Sequence, residues 1–209
     1  MNKVSYCVKM FSLRLCFAAI VLPLSVNCFI LDTFLGKAPQ TVGALDLNKY
    51  LGRWYQMYAS QSVVFLWESD AYCVTADYEL WANGTVSVLN SERLHNATGP
   101  LKVITGSATS SNEPGKFTVR LQTVPVGASY WVLKLGPATY GDKFQYQYSI
   151  VSDNVRGTLF VLARDPDIYH MDYEAEVNTF LKEHGFTTFY NKPINTYHGK
   201  DCIYNSNHH

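Results

Sequence analysis

Apolar and polar residues alternate with period two in eight successive segments, and this rhythm constrains the fold more than any other feature of the chain. The segments read "RWYQMYAS", "AYCVTADYELWA", "VSVLNSERL", "LKVITGSATS", "KFTVRLQT", "YWVLKLG", "FQYQYSIVS" and "TLFVLARD". Such alternation buries one face of a strand and wets the other. The intervening stretches "NGT", "SNEPG", "PVGA", "GPATYGD" and "SDNVRG" are rich in turn formers, and "NG" is a strong hairpin signal. Short links between many strands predict an all-β fold, an eight-stranded antiparallel up-and-down β-barrel over about 51–164. A short helical turn, "DLNKYLG", precedes it. After "ARDP" the period lengthens, and Tyr173, Val177, Phe180 and Leu181 share one helical face. One α-helix over about 172–184, ended by Gly185, is therefore expected to pack on the barrel wall, followed by a tail over 185–209.

A barrel of this size has room inside for one small ligand. The alternation predicts which side chains line it. If Asp77, Glu79 and Lys134 face water, then Tyr72, Val74, Ala76, Tyr78 and Leu80 face inward, as do Trp131, Leu133 and Leu135. Phe117, Val119 and Leu121 point in, opposite Lys116 and Arg120. Val86 and Val88 carry the third strand inward, with Asn90 as a polar group among them. "YQYQYSI" alternates ambiguously and permits no assignment. The predicted interior is apolar and aromatic.

Residues 1–28 read as a secretory signal: Lys3, Lys9 and Arg14 precede an apolar run interrupted by Pro23. A membrane anchor is the rival, but the uninterrupted run falls short of the ~20 residues a spanning helix requires. Residues 29–209 then form a single domain. Loss of three basic residues and no acidic one from totals of 17 and 17 leaves a net charge of −3. That balance argues against nucleic acid as a partner. Cys73 and Cys202 remain, with Cys28 a third thiol if cleavage falls earlier. "NGT" at Asn83 and "NAT" at Asn96 are N-glycosylation acceptors in turn-like stretches. All three features point to a secreted, extracellular chain.

Gly52-Arg53-Trp54, then "LDLNKYLGRWYQ", the spaced set from Cys73 through Tyr78 and Leu80 to Asn83-Gly84, "SVLN", "YWVL" and "VLARDP" together resemble the lipocalin family, closest to its apolipoprotein D and bacterial lipocalin group. The resemblance covers roughly residues 45–166. It implies that Trp54 plugs the closed end of the barrel with Arg164 lying across it, and that Gly52 lets the chain turn beneath. It also implies a disulfide between Cys73 and Cys202, which the outward parity of Cys73 allows. The family's T-D-Y signature is absent; "LGPATYGDKF" stands in its place and leaves the form of that closed-end loop open.

Other features carry competing readings. Residues 62–68, "SVVFLWE", place Phe65 and Trp67 in the entrance connection. They act either as a lid folded over the cavity, the preferred reading, or as a contact for a membrane, lipoprotein or partner. The histidines have no metal-ligand spacing, so no metal is expected. No cofactor is expected either, apart from a bound lipid or tetrapyrrole pigment. An enzyme is not expected: no Ser-His-Asp order or phosphate loop stands out, and an outward, oxidised Cys73 offers no thiolate to a cavity. The expectation is a carrier of one small hydrophobic ligand, with fatty acids, lysophospholipids, steroids, retinoids and bilins as candidates that the resemblance implies. A biliverdin-type chromoprotein is the alternative.

Overall fold

The computed structural model describes residues 37–124 and 126–206. The leader assigned to 1–28 and Cys28 lie outside them. A four-residue helix, α1 (Leu47–Tyr50), is capped by Asp46, whose carboxylate accepts from Asn48 N at 3.0 Å. The chain then turns through Gly52, whose φ of +92° is a left-handed conformation that a side chain would strain.

Ten strands follow in chain order: β1 (Gly52–Ser60), β2 (Ala71–Leu80), β3 (Val86–Leu94), β4 (Leu101–Ser110), β5 (Lys116–Leu121), β6 (Ala128–Leu135), β7 (Ala138–Tyr140), β8 (Gln145–Tyr146), β9 (Tyr148–Ser152) and β10 (Leu159–Ala163). A short helix, α2 (Gln61–Leu66), lies between β1 and β2. Eight of the strands form the barrel in the order β10-β9-β6-β5-β4-β3-β2-β1, every neighbour antiparallel, and β10 pairs back onto β1 to close it. Closure leaves few backbone groups unpaired at an edge. The ambiguous "FQYQYSIVS" is broken at Gln147, whose N–H bonds Pro137 O at 2.9 Å, so only Tyr148–Ser152 joins the barrel. Its first part pairs with β7 as a separate hairpin.

Two apolar clusters share the barrel wall. The inner one includes Trp54, Tyr78, Val88, Phe117 and Val132. The outer one joins Met57, Leu133, Ile150 and Val161 to Val177 and Leu181 of α3 (Glu174–Glu183), with Tyr173 and Phe180 alongside. The face predicted for the helix is therefore the face that docks. A helical turn (Pro166–Ile168) and a π-helical turn (Tyr169–Tyr173) lead into it, and Gly185 leaves it at φ +83°.

The tail returns to the wall. Strand β11 (Pro193–Asn195) pairs with Tyr58, Ala59 and Ser60 of β1, whereas β2 pairs with β1 only over Gly52–Tyr55. The tail thus fills the seam that opens between β1 and β2. Thr196 N donates to Met57 O and Cys73 N to Tyr197 O, each at 2.9 Å, and the Cys73–Cys202 disulfide pins the far side.

Candidate functional site

One end of the barrel is shut by a stack of residues that leaves little unsatisfied. Trp54 is fully buried and donates Nε1–H to Tyr50 O at 2.8 Å. The Arg164 guanidinium lies 3.7 Å from the indole centroid. Its Nη1 donates to Arg53 O at 2.6 Å, and its Nη2 reaches Lys49 O, Tyr50 O and Leu51 O at 3.1, 3.1 and 2.8 Å. These carbonyls belong to α1, the turn after it and the start of β1, so the arginine ties that turn to the end of β10. Burial lowers Arg164 to about 10, which still leaves it charged at neutral pH. The β7–β8 hairpin completes this end, with Gln145 Nε2 donating to Leu51 O at 2.6 Å. That is the form taken by the loop in which the T-D-Y signature is missing.

Above the stopper lies a cavity of about 560 Å³. Its floor carries three phenols: Tyr50 OH contacts Tyr130 OH at 2.7 Å and Ser149 Oγ at 2.9 Å, and Tyr78 OH meets Tyr130 OH at 3.2 Å. Desolvation raises all three, Tyr50 to about 12, so they remain neutral donors and acceptors. Aliphatic and aromatic side chains form the belt above them. At the mouth the lining turns polar, with Gln56, Glu68, Asn90, Glu92 and Lys102, and the rim includes Leu66, Trp67 and Val124.

Of the residues assigned to the cavity by alternation, Val74, Tyr78, Val88, Asn90, Phe117, Val119 and Leu121 do line it. Three do not. Trp131 and Leu133 belong to the outer cluster under α3, with Lys116 Nζ 4.2 Å from the Trp131 centroid. The inward residues of β6 are Tyr130, Val132 and Leu135. A register irregularity between Val132 and Lys134 puts Leu133 and Lys134 on the same outer side, so using Lys134 as the water-facing reference inverts the strand. Lys134 Nζ in fact sits 5.4 Å from the Phe180 ring. Tyr72 faces outward against Tyr197, their ring centroids 5.6 Å apart. The irregularity at Cys73, with φ +54°, interrupts the alternation between it and Val74. Leu80, at the end of its strand, is exposed.

In the entrance connection Val63 is buried and Trp67 reaches the rim, but Phe65 is 77% exposed. The lid reading therefore fails for Phe65: the stretch forms a helical turn capped by Ser60, and a helix that buries Val63 turns Phe65 to solvent. Asn83 and Asn96 are both exposed in turns, each with its side-chain carbonyl accepting a backbone N–H two residues on. Sequence reasoning missed Gln56, Glu68, Glu92, Lys102 and Tyr130. For Glu92 a signal existed, since the alternation that turns Asn90 inward turns Glu92 inward as well.

A closed antiparallel barrel, stoppered at one end and hollow toward the other, is the architecture of a small-molecule-binding barrel. The family model of the lipocalin-like domain matches residues 45–192, and the chain belongs to that family. Apolipoprotein D of Bos taurus is 32% identical over 160 residues, 71% of this chain and 75% of that protein. Against apolipoprotein D of Cavia porcellus, 41% identical over 106 residues, the chain spans only 51% of the relative's length. Among solved structures, apocrustacyanin C2 superposes with a TM-score of 0.55 at 17% identity, covering 75% of this chain and 82% of that one. Japanin from Rhipicephalus appendiculatus, solved bound to cholesterol, gives 0.51 at 14% identity, covering 78% and 100%.

Proposed function

We propose that this chain is a secreted, glycosylated carrier that holds one small hydrophobic molecule in its barrel. The cavity of about 560 Å³ with a predominantly apolar belt is the observation that carries the reading. Membership of the lipocalin-like family and the cholesterol named for Japanin support it. Binding is desolvation into a preformed cup. Burying ~350 Å² of ligand apolar surface at ~25 cal/mol per Å² releases a gross ~9 kcal/mol. Lost freedom of motion offsets much of that, which places affinity near the micromolar range.

Steroids, retinoids, lysophospholipids, fatty acids and bilin pigments are the candidate classes. Native mass spectrometry of protein from its source, followed by lipid extraction, tests the reading; protein that carries no small molecule and binds no apolar probe would sink it. Visible absorbance of the same material identifies a bilin chromoprotein. Deglycosylation mass shifts at Asn83 and Asn96 test the extracellular assignment.

One observation favours a second role beside the first. Phe65, Leu66 and Trp67 are 77, 59 and 57% exposed at the cavity mouth, an apolar patch suited to contact with a lipid surface or partner. Replacing Phe65 and Trp67 by Ser abolishes vesicle binding if the patch docks, and leaves it unchanged if it does not.

A further inference from the structure

The cavity concentrates its charge at the mouth. Glu68, half-buried on the connection before β2, accepts from Gln56 Nε2 of β1 at 2.7 Å. Facing it, Lys102 Nζ of β4 meets Glu92 Oε1 of β3 at 2.6 Å, and the Glu92 side chain is 9% exposed. The ammonium is thus held by Glu92, while Glu68 is held by a neutral amide. Between the two pairs and the apolar belt stands Asn90, whose side chain, among the described residues, makes no hydrogen bond to the protein. The mouth therefore offers carboxyl and amide oxygens, with one cation already committed.

We propose that these side chains make the cavity select oily ligands ending in a hydrogen-bond donor without negative charge, an amine or a hydroxyl, over ligands ending in a carboxylate. The proposal rests on the carrier reading and names the ligand class for that site. A ligand carboxylate would bring a third acid beside Glu68 and Glu92, with Lys102 alone to answer them, in a place where water screens poorly. A donor finds acceptors at Glu68 and Asn90.

Burial, reinforced by Glu92 and opposed by Gln56 and Lys102, raises Glu68 to about 7, so its charge changes over an accessible range. The other titratable groups nearby act differently. His95 pairs with Asp70 at the rim, with both side chains more than 60% exposed and open to water. His198 bonds the carbonyl of Gln56, and burial lowers it to about 4, so it stays neutral above that.

The test displaces the neutral probe N-phenyl-1-naphthylamine with decylamine, decanol and decanoate at about pH 6 and about pH 8, on the full chain and on Glu68→Gln. At the higher pH decanoate should compete about tenfold worse than decanol, the equivalent of one unit of coupling to Glu68, and decylamine at least as well as decanol. Protonating Glu68 at the lower pH should narrow both gaps, and Glu68→Gln should remove their pH dependence. Decanoate matching decanol at the higher pH, or a pH-dependent gap that survives Glu68→Gln, would overturn the proposal while leaving the carrier reading intact. A probe that fails to bind at all, or that none of the three displaces, would instead sink the carrier reading itself. The wild-type pH comparison needs no variant to fold.

Discussion

The two ends of the barrel bury polar groups in different ways. At the closed end Trp54 and Arg164 lie almost wholly inside, and the guanidinium donates to the backbone carbonyls of Lys49, Tyr50, Leu51, Arg53 and Tyr146 while covering an indole. At the open end Glu68 is half-buried with its carboxyl raised to about 7, and α2 leaves Phe65 in solvent. Buried polar groups stabilise when their partners are complete and cost stability when they are not. The comparison teaches that this fold concentrates its rigidity where nothing binds, and accepts incomplete pairing where a guest would arrive.

The sharpest way to break that contrast is Arg164→Ala. It removes a donor from the carbonyls of Lys49, Tyr50, Leu51 and Arg53 at once, leaving Tyr50 O only Trp54 Nε1 and Leu51 O only Gln145 Nε2 as side-chain donors, and should cost about 3–5 kcal/mol in urea unfolding. A loss under about 1 kcal/mol would show that the closed end is not the stable one. Comparable in size, the paired substitution Cys73→Ser with Cys202→Ser opens a loop of 129 residues, which on the chain-entropy model removes about 4–5 kcal/mol. The same measurement reads it, and the gap between the two losses ranks stopper against seam.

His198 supplies a smaller, pH-dependent effect. Its Nε2 donates to Gln56 O and its Nδ1 accepts from Tyr204 OH, both at 2.9 Å, an arrangement that only the neutral ring can make. Folded-state burial lowers it to about 4, below the ordinary 6.5, so the unfolded chain takes up the proton first as pH falls. Its stabilising contribution is therefore full above about 6.5 and lost progressively toward about 4. Thermal melts across that window should show the midpoint falling, and His198→Gln should flatten the slope.

Glu68 has the opposite sign. Its folded value lies above the ordinary 4.5, so it weakens the fold as pH rises through about 7. Glu68→Gln should raise the melting midpoint at about pH 8 and leave it nearly unchanged at about pH 5. The smallest expected effect is Phe65→Ser, within about 0.5 kcal/mol by denaturant unfolding, because an exposed side chain has little packing to lose.

What was legible in the sequence follows from how each strand meets its two environments. On β5 one face is plainly wet, at Lys116 and Arg120, and Phe117, Val119 and Leu121 were assignable. On β6 both faces are covered, one by the cavity and one by α3, so "YWVLKL" is apolar either way and a single irregularity near Leu133 reverses the answer. Tyr72 failed for a similar local reason, the turned backbone at Cys73. The stopper was readable through family resemblance, since Gly52 and Trp54 on β1 and Arg164 just beyond β10 lie far apart along the chain yet match the family's signature as a set. The polar mouth was readable only in part, at Asn90, because Glu68 enters the cavity from a connection, where no periodicity applies.

The strand contributed by Pro193–Asn195 has a consequence for how the molecule comes into being. Pro193–Asn195 complete the wall beside β1, and the Cys73–Cys202 bond reinforces that join. A folding chain that has not yet docked those residues leaves the seam open even where the eight barrel strands have closed, and pairings so distant along the chain favour slow assembly. Completion of the seam is then a late event, timed by thiol oxidation as much as by strand pairing.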